Sequence, residues 1–122
     1  MSAVLSQILP KTEILSYDAL SMYKLVSELK NTDILGRLNQ KYLAPLMEYD
    51  EKNNSDMTDF VSAYIEYNGH IKDISENLYL HRNTVYYKIK KAEELLGCSL
   101  SNLDTKLFLL IALMSRKFAD KM

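Results

Sequence analysis

The side chains best suited to chemistry lie in one short run, HRNTVYYKIKK, from His81 to Lys91. Between Arg82 and Lys91 there are four basic residues and no acidic one. Asn can pair with adenine, Arg and Lys with guanine or phosphate, and tyrosine hydroxyls with phosphate, so these residue types suit contact with DNA. The residues predicted to contact DNA are His81, Arg82, Asn83, Thr84, Tyr86, Tyr87, Lys88, Lys90 and Lys91.

The apolar spacing around this run predicts a helix-turn-helix. We expect a short helix over 71–77, a turn at Leu78-Tyr79-Leu80, and a longer helix over about 82–96 that Gly97 ends. At about 100° per residue, the longer helix has a buried seam of Val85, Ile89, Ala92 and Leu96. The opposite face gathers Asn83, Thr84, Tyr87, Lys90 and Lys91, with His81, Arg82 and Tyr86 at its leading edge. A helix of this kind is shaped to enter the major groove of DNA.

Two residues near the start of this helix have more specific expectations. His81 stands where a side chain caps a helix or donates a hydrogen bond to a phosphate. Tyr79, in the turn, is a further candidate for DNA contact, whereas most of the other tyrosines lie on apolar stripes and are expected in the core or at interfaces. Leu78 and Leu80 are expected to fill the space between the two helices.

The rest of the chain also reads as helical, so we predict an all-α fold. A helix is expected over about 19–30, with an apolar stripe of Leu20, Tyr23, Leu25, Val26 and Leu29. The next begins at Thr32 and should stop before Pro45, because proline disrupts a helix interior. Further helices are expected over 57–67 and 103–118, and residues 1–16 are a remnant or a short helix ending near Pro10.

At this point the sequence resembles a known family. Residues from about Asp56 to Lys117, carried by HRNTVYYKI (81–89) and EELLG (93–97), look like the C-terminal helix-turn-helix domain of PucR/CdaR-type bacterial transcription regulators. The resemblance implies a Fis-like, winged-less domain of three to four helices, sequence-specific binding of double-stranded DNA, and transcriptional control. Residues 17–54 resemble the helical connector before that domain, so the expected division is 1–16, 17–54 and 55–122, at the KNNSD loop (52–56).

Members of this family usually carry an upstream sensory region, and the chain is expected to be a C-terminal portion or a shortened form without one. The last helix is apolar nearly all round, so we expect it to serve both the domain core and a homodimer contact. A core helix confined to one chain is the alternative for this segment. For the whole chain, the alternatives are a helical protein-interaction module without specific DNA binding and a non-specific nucleoid-associated protein.

Composition narrows the remaining function classes. The single cysteine, Cys98, excludes an intramolecular disulfide framework, and no signal peptide or bilayer-length apolar run is recognisable, so a soluble cytoplasmic protein is expected. Residues 1–69 have a net charge of −4 and residues 70–122 a net charge of +3. We expect no catalytic residues, metal or cofactor, and the acidic pairs Asp50-Glu51 and Glu93-Glu94 are expected to be solvated surface.

Overall fold

A computed structural model describes residues 17–118, and their side chains from residue 20 onward. The short helix expected in residues 1–16 lies outside the described residues. The elements are α1 (Tyr17–Leu29), α2 (Ile34–Leu38), a π-helical segment (Asn39–Leu43), α3 (Ala44–Asn53), α4 (Met57–Glu66), α5 (Ile71–Leu78), α6 (Arg82–Leu96) and α7 (Leu103–Lys117). Since every regular element in this range is helical, the all-α prediction is confirmed. Within residues 17–118, no helix combines the length and apolar character needed to cross a bilayer.

Two hydrophobic clusters hold these helices together, and α7 belongs to both. The larger cluster joins α3, α4, α5, α6 and α7, with Leu46, Val61, Ile74, Val85 and Leu109 essentially inaccessible to solvent. The smaller cluster joins α1, α2 and α7 and contains Val26, Leu35, Ile111, Met114 and Phe118. The apolar run of α7 therefore lies largely within the chain, and α7 packs against α4 and the π-helical segment as well as against α1 and α2.

The helix expected to stop before Pro45 does so: the π-helical segment that follows α2 ends at Leu43, and α3 begins directly at Ala44. Residues 39–43 adopt the wider π-helical turn, and Pro45 falls in the first turn of α3. A proline is tolerated there because the first backbone N–H groups of a helix need no partner within it. The Asn39 amide bonds the Leu35 carbonyl at 2.7 Å and the Ser115 hydroxyl at 3.1 Å, which fastens the π-helical segment to α7.

The apolar stripe of α1 is narrower than the sequence suggested. Val26 is fully buried and Tyr23 packs edge-to-face on Phe118, with ring centroids 5.1 Å apart. Leu20 and Leu25, which were also expected to be buried, remain about half exposed. The reason is that α1 packs chiefly against a single neighbour, α7, and one neighbour covers only one side of a helix.

The connection between α3 and α4 falls in the predicted KNNSD loop. Asn54 ends α3 in the left-handed conformation at φ 51°, and α4 begins at Met57. Leu46, before the loop, and Phe60, after it, belong to the same hydrophobic cluster. The core therefore continues across the loop, while the division of the chain into 17–54 and 55–122 stays a prediction.

Candidate nucleic-acid interface

The turn between α5 and α6 is held by Ser75. Its hydroxyl donates to the Leu80 carbonyl at 2.5 Å, and its carbonyl accepts from the Leu80 N–H at 3.0 Å. Leu78 and Leu80 are partly buried against the larger cluster, as expected, and Tyr79 between them has the left-handed φ of 57°. The sequence shows only that Ser75 is small. It does not predict this hydrogen bond, because a contact between a hydroxyl and a carbonyl five residues later follows no helical repeat.

His81 is the N-cap of α6. Its backbone is extended, and its Nδ1 accepts a hydrogen bond from the Asn83 N–H at 3.0 Å. Of the two roles expected for His81, the structure thus has the capping role. Because Nδ1 is the acceptor, the proton of the neutral ring sits on Nε2, which remains available as a donor on an exposed side chain.

One side of α6 is buried as predicted and the other is open. Val85 and Ala92 are inaccessible and Leu96 nearly so, while Ile89 is partly buried against the same cluster. Tyr86 and Tyr87 remain 51% and 63% exposed. We call the open side the outer face, and its exposed residues are Arg82, Asn83, Tyr86, Tyr87, Lys90 and, nearer the C-terminal end of the helix, Glu94.

Two lysines expected beside these residues point elsewhere. Lys88 Nζ lies 3.3 Å from Asp56 Oδ1 and 5.9 Å from the centre of the Phe60 ring, and its side chain is only 20% exposed. Lys91 Nζ lies 5.3 Å from the centre of the Tyr49 ring, and its side chain is 30% exposed. Both flank α6 on the side that meets α3 and α4.

The sequence placed Lys91 and Thr84 on the outer face, and both are partly buried at its edge, where Lys91 Nζ also lies 3.9 Å from Oε1 of the exposed Glu94. The physical reason is that a helical wheel locates the buried seam but not the neighbours beside it. A long lysine stem at the edge of the seam covers apolar rings and keeps only its charged end in solvent. The basic groups left on the outer face are Arg82 and Lys90.

Glu93 is not solvated surface, contrary to expectation. Its carboxylate accepts from the Leu100 N–H at 2.9 Å and from the Ser99 hydroxyl at 3.4 Å, which fixes the turn after α6. Burial, and secondarily the nearby Glu93 carboxylate, raise the pKa of the Tyr64 hydroxyl. Glu94 does remain exposed, as expected. Within the EELLG motif, the first glutamate thus has a structural role.

Asp50, in the last turn of α3, caps the start of α4 and is likewise not solvated surface. Its Oδ1 accepts from the Ser55 hydroxyl and the Met57 N–H, both at 2.6 Å, and its Oδ2 accepts from the Thr58 N–H at 2.9 Å and hydroxyl at 2.7 Å. Burial alone would raise the pKa of Asp50, but these hydrogen bonds together outweigh it and lower the pKa. The start of α4, against which α6 packs, is fixed in this way to α3.

No group of three His, Cys, Asp or Glu side chains within residues 17–118 is arranged to hold a metal ion. The polar groups of the outer face are hydrogen-bond donors, acceptors and cations on one open helix surface. This arrangement can contact phosphates and base edges.

Comparisons with known proteins find a helix-turn-helix domain and regulators of similar sequence. Residues 57–115 match the model of the PucR C-terminal helix-turn-helix domain. The purine catabolism regulatory protein of Bacillus subtilis (strain 168) is 38% identical over 78 residues, which is 62% of this chain and 15% of that protein. The proline-responsive transcriptional activator PutR of the same organism is 28% identical over 103 residues, 83% of this chain and 25% of that protein.

The carbohydrate diacid regulator of Escherichia coli (strain K12) is 30% identical over 107 residues, which is 88% of this chain and 27% of that protein. The chain thus spans between 15% and 27% of the length of these curated relatives. No solved structure matches.

Proposed function

We propose that the chain carries the DNA-binding domain of a transcriptional regulator, because residues 57–115 match the PucR C-terminal helix-turn-helix domain and the similar curated proteins are regulators. The N-terminal end of α6 enters the major groove of double-stranded DNA and reads a specific sequence. The function is one of binding, without a catalytic step, and it is exerted in the cytoplasm, where the DNA is.

The observation that carries the proposal is the open outer face of α6. Arg82, Asn83 and Lys90 are exposed there beside two exposed tyrosine rings, while the opposite side of the helix is packed in the core. Asn83 is the residue suited to reading adenine, and Arg82 and Lys90 suit guanine or phosphate. Tyr86 and Tyr87 can donate to phosphates and pack on sugars or thymine methyl groups.

The other residues that the sequence suggested for DNA binding support the proposed interface from its edges. His81 organises the start of α6 through its cap and offers Nε2 to a phosphate. Thr84, Lys88 and Lys91 flank the outer face and keep part of their surface in solvent. The two lysines thus add positive potential near the DNA, and their direct contacts are with the protein.

We also propose that the chain acts as a homodimer through α7. Leu103 and Leu107, one helical turn apart on α7, are 82% and 48% exposed, which is a large exposure for leucine. A second copy packed on them would bury this surface and pair two α6 helices for half-sites about 34 Å apart. Leu103→Ser with Leu107→Ser should then give a monomer by light scattering, whereas an unchanged molar mass would contradict a contact through these leucines.

Because the curated relatives are several times longer than this chain, we propose that the response to an effector resides in a sensory region outside these 122 residues. This part of the proposal concerns the regulator as a whole. The DNA-binding part is tested independently of it.

The direct experiment is selection of duplexes from a random-sequence pool, followed by titration of the enriched duplex and a shuffled duplex of equal length. We expect an enriched motif and tighter binding of the enriched duplex. The matched protein is a variant with Asn83, Tyr87 and Lys90 replaced by alanine, all exposed and outside the core. Equal binding of both duplexes by both proteins would contradict the proposal, and retention of protein partners after nuclease treatment, without DNA binding, would favour an interaction module instead.

A further inference from the structure

Tyr79 has an unusual combination of backbone and exposure. Its side chain is 93% exposed, more than any other large apolar or aromatic side chain that the structure describes. Its backbone has φ 57° and ψ 44°, the left-handed region that is unfavourable for a residue with a bulky side chain and natural for glycine. The sequence therefore places a large aromatic residue where the backbone favours none.

The turn accounts for the backbone conformation of Tyr79 but not for its exposed aromatic ring. The left-handed conformation lets the N–H groups of both Tyr79 and Leu80 reach the Ser75 carbonyl, which closes α5. Glycine or asparagine would satisfy that geometry with less strain. Leu78 and Leu80, on either side, pack on the larger cluster, whereas Tyr79 is not part of it. Within residues 17–118, its hydroxyl has no hydrogen-bond partner and its ring no aromatic or cation–π contact.

Tyr79 lies close to the N-terminal end of α6. It lies two residues before His81, the N-cap, so the two Cα atoms are at most about 7 Å apart. The N-terminal end of α6 is the end that enters the major groove, and that groove is about 12 Å wide with a phosphate backbone along each edge. An exposed tyrosine beside the N-cap is close enough to reach such an edge.

We propose that Tyr79 is a DNA-backbone contact whose hydroxyl donates a hydrogen bond to a phosphate oxygen at the edge of the groove that α6 enters. This inference rests on the proposed function, DNA binding through α6. The contact would fix the depth and tilt of α6 without reading sequence, since phosphates are the same along the duplex. The strained backbone and the exposed ring are then both accounted for, because the ring has its partner only in the complex.

The test uses Tyr79→Phe and Tyr79→Gly in the full chain. Tyr79→Phe removes only the hydroxyl, and Tyr79→Gly also removes the ring and the backbone strain. Tyr23→Phe is the matched control, because Tyr23 packs in the smaller cluster and not beside α6. The probes are the fluorescently labelled duplex enriched from a random pool and its shuffled counterpart, titrated at two salt concentrations, with thermal unfolding of each protein followed in parallel.

We expect Tyr79→Phe to weaken binding about tenfold for both duplexes, the loss associated with one hydrogen bond to a charged group. The dependence on salt should not change, because a neutral hydroxyl releases no counterion. Tyr79→Gly should bind as weakly and unfold at the same or a higher temperature, and Tyr23→Phe should bind like the wild type.

Wild-type affinity in Tyr79→Phe would overturn the inference, and so would a loss confined to the enriched duplex, which would mean a contact with a base. Because a phosphate contact is independent of sequence, the shuffled duplex reports it even if no motif is enriched. A wild-type chain that binds neither duplex would instead contradict the proposed function itself, and the two failures are therefore distinguishable.

Discussion

Lys88 Nζ lies 3.3 Å from Asp56 Oδ1 and so joins the middle of α6 to the residue that precedes α4. Lys88 is largely covered, whereas Asp56 is 72% exposed. The ammonium group also stands 5.9 Å from the Phe60 ring, whose face attracts a cation. Lys88, one of the three lysines that the sequence suggests for DNA, is thus already engaged within the protein, whereas Lys90, two residues later, is exposed.

This difference leads to a paired prediction for Lys88→Ala and Lys90→Ala. Lys90→Ala should flatten the dependence of log affinity on log salt concentration by about 0.9, the amount expected for one phosphate contact, and leave stability within about 0.5 kcal/mol. Lys88→Ala should lower the free energy of unfolding by about 0.5 to 1 kcal/mol with a smaller effect on the salt slope. DNA titrations at several salt concentrations and chemical unfolding measure both. If the two variants flatten the slope equally, Lys88 exchanges Asp56 for a phosphate on binding.

Asn83→Ala should reduce sequence discrimination rather than overall affinity. The substitution removes the side-chain amide that can pair with adenine. It keeps the backbone N–H that donates a hydrogen bond to His81 Nδ1, so the cap of α6 is retained. We expect the ratio of affinities for the enriched and shuffled duplexes to fall about tenfold, within the range for one bidentate base contact. Competition titrations measure this ratio. Lys90→Ala, as the control, should weaken both duplexes alike, and an unchanged ratio in Asn83→Ala would exclude base reading by this residue.

Asp50→Ala should lower the free energy of unfolding by about 2 kcal/mol, because it removes a carboxylate that accepts four hydrogen bonds at the start of α4. The neighbouring Glu51→Ala is the control, since Glu51 is exposed and should change stability by less than about 0.5 kcal/mol. Urea unfolding at neutral pH measures both. Equal losses in the two variants would contradict the capping role.

The contribution of Asp50 should also depend on pH in a definite direction. The folded-state pKa of Asp50 lies below the ordinary value of 3.8, so its contribution is fully present above that value and is lost as pH falls through the lowered folded-state pKa. The difference in unfolding free energy between wild type and Asp50→Ala should therefore be constant from neutral pH to about pH 5 and shrink at lower pH. A difference that grows on acidification would contradict this sign.

Gly69→Ala should destabilise the chain more than Gly97→Ala. Both glycines have a left-handed φ, 74° and 73°, so an alanine at either adds strain of about 1 kcal/mol. At Gly69 the added Cβ would also lie 2.9 Å from the Tyr64 hydroxyl oxygen, whereas at Gly97 nothing is within 4 Å. Because Tyr64 is buried, its ring cannot easily move away, and we expect a total of about 2 to 3 kcal/mol for Gly69→Ala. Equal losses in urea unfolding would mean that the ring does yield.

The sequence alone determined the parts of this protein that depend on local periodicity. It predicted α4 to α7 closely and the buried seam at Val85, Ile89, Ala92 and Leu96, and it gave the cap as one of two roles for His81. It also pointed to the helix-turn-helix regulators through HRNTVYYKI and EELLG. These features are readable because the repeat of a helix and the residues at its ends follow from neighbours only a few positions apart.

Only the tertiary structure decided which side chains of one helix contact its neighbouring helices. Lys88 and Lys91 lie at the edge of the seam, and the helical repeat does not say whether a side chain there meets solvent or another helix. The packing of α3 and α4 against α6 places Lys88 near the Phe60 ring and Lys91 near the Tyr49 ring. The carboxylates of Asp50 and Glu93 bond residues five to eight positions away across a turn, a spacing set by how the chain folds back and not by any helical repeat.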